Sequence, residues 1–221
     1  MPVDISMTVL SIILMGGTVL FPDDRVHQVL GMVLMVLWIV HTVLHRRWYG
    51  ALLKGKYNPY RTLQLIINLG ITISCVLVMV SGMAMAWFLP SSFGLNYARN
   101  IHLASSHWYY LFMCAHLGMH ISMMHIPVRF MLPLGVYGIY AFFARGLWKY
   151  FFLTQQFFFL DLDKGYVMFA VDYVAILAAF AILIHLMGEA AKGRFNEFRA
   201  CYLWNSDIHY HRGVPSHSHQ S

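Results

Sequence analysis

The chain has 221 residues, of which 59% are apolar and only 11% are charged, and its formal net charge is +6. A soluble domain usually carries about 25% charged residues, so this composition excludes an ordinary soluble domain and indicates an integral membrane protein. The positive charge is concentrated in one short loop, and the sequence contains no basic-aromatic module of the kind that binds nucleic acid. We therefore expect the lipid bilayer, and no nucleic acid, as a partner.

Five windows of roughly 20 residues are almost free of charge, and each is long enough to cross a hydrocarbon core of about 30 Å. In chain order, predicted helices one to five are Ile5–Phe21, Val26–His45, Thr62–Leu89, Ile101–His125 and Tyr166–Gly188. The first window is not followed by a cleavage-type site, so we interpret it as a retained helix and not as a signal peptide. The sequence thus predicts an all-α integral membrane protein with several membrane passes.

The first two loops carry charges of opposite sign. Asp23 and Asp24 follow predicted helix one. The loop after predicted helix two contains only basic charges, on Arg46, Arg47, Lys54, Lys56 and Arg61. The positive-inside rule places this basic loop in the cytoplasm and the acidic turn outside. We therefore predict a cytoplasmic N-terminus in the cytoplasmic (inner) membrane.

Predicted helices two and four carry the same spacing of three histidines, H-x13-H-x3-H. The two sets are His27, His41 and His45, and His102, His116 and His120. Because imidazole is costly to place in hydrocarbon without a partner, intramembrane histidines are candidates for function. Fourteen residues of an α-helix advance about 21 Å and return within roughly 40° of the starting face. Two such helices, facing each other, would present opposed imidazoles at an outer and an inner level.

The sequence between Asp24 and Asp161 contains no aspartate or glutamate. This argues against carboxylate-bridged di-iron and hard-cation sites, which need oxygen ligands. Zinc suits imidazole, but it does not explain two levels about 20 Å apart. An iron porphyrin needs two axial ligands on opposite sides of its plane, so we predict two haems. They would be haem b, because the sequence lacks the C-x-x-C-H motif of thioether attachment.

The first histidine of each set forms the outer level, but two choices remain for the inner level. His41 with His116 would leave the iron inside the hydrocarbon layer, and we favour this pair. His45 with His120 is the alternative pair, because eighteen residues also return to the same helix face. His45 adjoins Arg46 at the water boundary. If the favoured pair is correct, the third histidines would bind a haem propionate or line a quinone site.

Cations near the helix ends are candidates for the haem propionates. Arg25 and Arg99 precede the two histidine-rich segments on the outer side, and Arg46 lies on the inner side. Each has an alternative role as an anchor to lipid headgroups.

The remaining chain differs from the first 125 residues, which we predict to form a four-helix di-haem core. Residues 126–165 contain Pro127 and Pro133, and we favour interfacial helices there over a short span beginning near Leu132. Residues 166–190 are predicted to form a fifth membrane helix, and residues 191–221 a polar tail. We expect disorder in its last residues, which include His217 and His219.

The histidine pattern resembles the four-helix di-haem core of the cytochrome b superfamily. H-x13-H on two parallel helices, separated by a histidine-free helix, is similar to helices two and four of that core. With Gly31 and Trp48 added, the first set is similar to small bacterial membrane cytochromes, and ferric-reductase-type proteins have a similar spacing. The resemblance covers about residues 5–125. The chain lacks the Pro-Glu-Trp-type motif of the larger quinol-oxidising cytochromes.

The resemblance implies His27 with His102 as ligands of the outer haem, and His41 with His116 as ligands of the inner haem. Iron with both axial positions filled has no open site for a substrate, so the expected function is electron transfer. We expect the membrane subunit of an oxidoreductase complex, rather than a standalone enzyme. It would connect a quinol or cytoplasmic donor with a partner flavoprotein, iron–sulfur protein or cytochrome, and menaquinone is a further candidate cofactor.

Two alternative functions follow from other residues. The first is a standalone quinol- or metal-reducing enzyme, with Asp161, Asp163 or Asp172 handling protons. The second is a histidine-lined metal transporter. In predicted helix five, His185 is a candidate to bind quinone or a third haem, or to contact a neighbouring helix.

Overall fold

The computed structural model of the chain describes residues 2–17, 23–51, 57–86, 95–121, 128–157 and 165–211, the last with side chains up to Gly193. All regular secondary structure in these ranges is helical. The helices are α1 (Pro2–Leu14), α2 (Asp24–Leu44), α3 (Arg46–Ala51), α4 (Pro59–Ala84), α5 (Leu95–His120), α6 (Val128–Ala144), α7 (Trp148–Phe151) and α8 (Gly165–His211). Several predicted positions lie outside the described residues: Lys54, Lys56, Pro127, Asp161, Asp163, His217 and His219.

Three of the described helices are long and apolar enough to cross a membrane. They are α2, α4 and the Gly165–Gly193 part of α8. α1 and the Phe130–Ala144 part of α6 are apolar but shorter. α5 is as long as α4, at 26 residues, but it carries four histidines and is less apolar. The prediction of an all-helical chain with membrane-compatible helices is therefore confirmed for the described residues.

Side-chain caps define where two of the long helices begin. The Asp23 carboxylate accepts a hydrogen bond from the backbone N–H of Arg25 at 2.9 Å, which caps α2. The Asn58 side chain accepts one from the backbone N–H of Arg61 at 2.7 Å and caps α4. Pro59 follows at the first helical position, where its missing N–H leaves no hydrogen bond unmade. The α2 cap places the first histidine of that helix near the end of its first turn.

The helices α1, α2, α4 and α5 alternate in direction. Asp4 near the start of α1 contacts His41 near the end of α2. Val78 near the end of α4 contacts His102, which lies near the start of α5. α1 also reaches α5, because the hydroxyls of Ser11 and Tyr109 are 3.1 Å apart. With α1 and α4 antiparallel to their neighbours, α2 and α5 run in the same direction and their histidines lie at matching levels.

α6 packs antiparallel along α8 through small residues. Gly138 lies against the backbone of Ala175, and Gly135 lies against Ala179, so no Cβ fits at Gly138 without displacing α8. Close backbone approach at glycine and alanine is typical of helix packing in membranes. α6 thus lies beside a candidate span, and the choice between an interfacial helix and a short span within residues 126–165 stays a prediction.

α8 continues without a break to His211, beyond the predicted end at residue 190. The residues around that position give no signal to stop the helix. Lys192 donates a hydrogen bond to the Glu189 carboxylate at 2.8 Å, a pair three residues apart that spans the predicted boundary. The predicted tail of residues 191–221 therefore begins as a continuation of α8.

Candidate functional site

The outer histidines of α2 and α5 face each other. The rings of His27 and His102 have centres 6.2 Å apart and planes inclined by 71°. Two imidazoles bound to opposite sides of one metal through bonds of about 2 Å have ring centres roughly 6 Å apart. The observed separation of 6.2 Å is close to this value.

The His102 ring is held from the side of α4. Its Nδ1 donates to the carbonyl oxygen of Val78 at 3.1 Å and lies 3.3 Å from the Ser81 hydroxyl. A Cβ at Gly82 would lie 3.1 Å from the ring, so glycine at this position lets the imidazole rest against α4. Ligand histidines almost always donate their second ring nitrogen in this way, which fixes the tautomer and orients the free nitrogen. His102 thus has Nε2 available for a metal.

His27 lies beside open space. Its Nδ1 is buried, and among the described residues it has no hydrogen-bond partner. Gly31 lies one turn further along the same face of α2, and a Cβ there would meet nothing within 4 Å. A buried nitrogen without a partner is costly, and an open face next to it is suited to a bulky group.

The second histidines of both sets have side-chain acceptors at Nδ1. His41 donates to the Asp4 carboxylate at 2.8 Å, and His116 donates to the Asn68 side-chain oxygen at 2.8 Å. The acceptors come from α1 and α4, the two helices adjacent to α2 and α5. A hydrogen bond from the second ring nitrogen is what orients a histidine that binds metal, so both rings are held with Nε2 left over as a ligand.

The third histidines contact their neighbours by ring packing. The His45 ring is 4.4 Å from that of His41, and the His120 ring is 4.8 Å from that of His116. The four inner imidazoles interact electrostatically with one another and with Asp4. In the described part of the chain the structure gives hydrogen-bond acceptors to the second histidines and ring contacts to the third. This difference favours His41 with His116 over His45 with His120.

A smaller cluster lies within the inner level. Ligand atoms of Asp4, His41 and His45 all lie within 4.8 Å of one another. One carboxylate and two imidazoles are a suitable donor set for a transition-metal ion. These three side chains could therefore hold a metal ion, and such an ion would use His41.

The sequence reasoning missed Asp4 and Asn68. The acid-free stretch begins after Asp24, and Asp4 lies before it in the sequence. The signals were present, because Asp4 is the acid immediately before the first apolar window and Asn68 is an amide inside an apolar helix. A polar side chain in a membrane helix needs a partner, and antiparallel packing of neighbouring helices brings these two to the inner histidines.

The three predicted propionate partners lie at the helix ends. Arg25 is exposed in the first turn of α2, and Arg46 is exposed at the start of α3. Arg99 is exposed one turn before His102, and its guanidinium lies 4.8 Å from the centre of the Phe157 ring. The structure therefore places each cation near a histidine level, with Arg99 already stacked on an aromatic ring.

Other polar residues of the apolar helices have packing partners. His107 is buried, its Nδ1 donates to the Leu103 carbonyl at 2.7 Å, and its ring stacks on Tyr150. Asp172 accepts from Arg145 Nε at 2.7 Å and from the Tyr137 hydroxyl at 2.6 Å. Both oxygens of that carboxylate are therefore engaged.

The histidine of predicted helix five stands apart from the two matched sets. His185 lies half-buried on α8, a helix that carries neither set. The structure gives it no part in either facing pair, so its candidate roles toward quinone or a third haem stay predictions.

Comparison with models of known protein families, with curated proteins and with solved structures finds no match for this chain. The geometry of the histidine levels is consequently the basis for any functional assignment.

Proposed function

We propose that this protein is a membrane-embedded b-type di-haem cytochrome that carries electrons across the bilayer as the membrane subunit of an oxidoreductase complex. The observation that carries the proposal is the opposition of His27 and His102, with ring centres 6.2 Å apart. A second set of histidines, His41 and His116, lies further along the same two helices, about 21 Å away for a 14-residue advance. A single packing histidine accounts for neither feature.

The described residues fit a haem at each level. At the outer level, His27 and His102 would supply the axial nitrogens, and the open face at Gly31 provides room. At the inner level, His41 and His116 would do so, each with its Nδ1 already engaged. Among the described residues, α2 packs more against α1 than against α4, and Gly31 on its histidine face meets no neighbouring atom within 4 Å of a Cβ.

Haem, when bound, supplies the one-electron chemistry. The chain's part is to hold the imidazoles and to exclude water. Val78 and Asn68 fix the rings of His102 and His116 through neutral acceptors, so these rings do not have to reorient when charge moves. The apolar surfaces of α2, α4 and α8 are compatible with lipid contact. The proposed circuit runs between a quinol or cytoplasmic donor and a partner redox protein.

The reduced-minus-oxidised absorption spectrum of the purified protein tests the proposal. We expect an α-band near about 560 nm, which is characteristic of b-type haem. His102→Ala should reduce the amplitude of this band, whereas the matched control His185→Ala, also in a membrane-compatible helix, should leave it unchanged. A purified, folded protein without such a band would overturn the proposal.

The cluster of Asp4, His41 and His45 favours a second candidate function, a histidine-lined transporter or reductase for metal ions. In that case the haem-free protein would bind zinc in equilibrium dialysis, and Asp4→Ala would abolish the binding. Quinol-dependent haem reduction by the isolated chain would instead indicate a standalone quinol-reducing enzyme.

A further inference from the structure

The two histidine levels differ in the charge of their hydrogen-bond partners. At the outer level, His102 donates to the neutral carbonyl of Val78. At the inner level, His116 donates to the neutral amide oxygen of Asn68, but His41 donates to the carboxylate of Asp4 at 2.8 Å. The inner level is thus the one at which a described histidine shares a hydrogen bond with an anion.

We infer that Asp4 is a positioning residue that gives the inner haem the lower midpoint potential of the two. The inference rests on the proposed di-haem function. A carboxylate acceptor draws the Nδ1 proton of its histidine and raises the basicity of the other ring nitrogen. A more basic axial ligand stabilises ferric iron, and hydrogen bonding around the ligand is one of the means by which a protein tunes haem. Asn68 exerts less of this effect because it has no charge.

At the inner level, the N-terminal amino group also interacts with Asp4. It opposes the effect of Asp4 on His41, but its electrostatic effect on that ring is smaller than that of Asp4. Asp24 interacts electrostatically with His27, but it is exposed, one turn away along α2, and makes no hydrogen bond to that ring in the structure. Exposed arginines lie at both ends, with Arg25 at the outer end and Arg46 at the inner end. Solvent and salt screen such charges. The Asp4 side chain is 40% exposed and that of His41 26%, so their direct bond is itself only partly screened.

The difference implies a direction of electron flow. One electron would pass from the inner haem to the outer haem. Without a membrane potential, this transfer runs from the lower to the higher midpoint potential. A quinol or cytoplasmic donor would then reduce the inner level, and the partner redox protein would oxidise the outer level.

A redox titration followed at the α-band tests the inference in variants that retain one haem. In the His27→Ala background, where the inner haem remains, Asp4→Asn should shift the single transition to higher potential, and Asp4→Glu should restore it toward the original value. In the His116→Ala background, where the outer haem remains, Asp4→Asn should leave the potential unchanged. Asp24→Asn is the matched control, and it should not move the inner transition.

The outcomes separate this inference from the proposed function. Absence of haem from the unsubstituted protein would overturn the di-haem function. Two bound haems with an inner transition that Asp4→Asn does not move would overturn only the role of Asp4. If Asp4→Asn lowers the inner haem content, retention of haem by Asp4→Glu supports a role for the charge, and equal loss in both variants contradicts it.

Discussion

In the apolar window of α8, 44% of the residues are buried, whereas in that of α2 only 6% are. We call α6, α7 and α8 the packing half of the molecule, and α1 and α2 with the facing sides of α4 and α5 the histidine half. In the packing half, Asp172 has a partner for each carboxylate oxygen. In the histidine half, His27 has a buried nitrogen without a hydrogen-bond partner among the described residues, as does His107, which stacks on Tyr150 of α7. The two halves therefore differ in how much of each helix the described chain covers, and under the proposed function haem would cover part of α2.

The largest expected effect concerns the ion pair of the packing half. Asp172→Ala would leave the Arg145 guanidinium without its anion, and removing one partner of a buried pair costs about 3–5 kcal/mol. The pair qualifies as buried, since the side chains are 12% and 8% exposed for Arg145 and Asp172. Unfolding in detergent should show this loss of stability. The exposed pair of Glu189 and Lys192 provides the control, because Glu189→Ala should cost less than about 1 kcal/mol.

Removal of haem should affect only the histidine half. A group bound at about one hundred times its Kd stabilises its site by about 2.7 kcal/mol. Protein made under haem limitation should therefore exchange the amide hydrogens of α2 faster, while those of α8 between Ala175 and Ile182 stay protected. Hydrogen exchange followed by mass spectrometry measures both. Equal acceleration in the two helices would contradict the division into halves.

Alanine at two glycines should give opposite results. A Cβ at Gly138 overlaps the backbone of Ala175, so Gly138→Ala should destabilise the protein by about 1–3 kcal/mol. A Cβ at Gly31 meets nothing within 4 Å. In the haem-free protein, Gly31→Ala should leave the stability unchanged or raise it by less than about 1 kcal/mol. In protein made with haem available, the same substitution should lower the haem content. A similar loss of stability in both variants would show that the α2 face is filled by protein.

The smallest expected effect concerns the third histidines. His45→Ala and His120→Ala remove rings whose contacts are with other rings. Both variants should therefore keep the inner haem, whereas His41→Ala should lose it. The haem content of the three variants, measured side by side, decides whether the second or the third histidines bind the inner haem. If His45→Ala loses a haem and His41→Ala does not, the third histidines are the ligands.

Of the five predicted windows, those at Val26–His45, Thr62–Leu89 and Tyr166–Gly188 correspond to helices long and apolar enough to cross a membrane, because length and apolar composition are local properties of the sequence. The bounds of α2 lie within two residues of the predicted Val26–His45. The partners of the histidines depend on which helices are neighbours. Asp4 lies 37 residues from His41, so local periodicity does not reveal their contact. The packing of α6 on α8 was not predicted either, because Pro133 suggested an interruption, whereas in the structure it lies inside the helix. Close approach at Gly138 is visible only once the two helices are paired.

The haem-to-chain ratio of the purified protein tests the central claim most directly. We predict two haem b per chain for the unsubstituted protein, one for His27→Ala, one for His116→Ala, and none for the double variant. A ratio of zero for the unsubstituted chain, or a ratio that His27→Ala leaves at two, would contradict the assignment of the facing histidines as haem ligands.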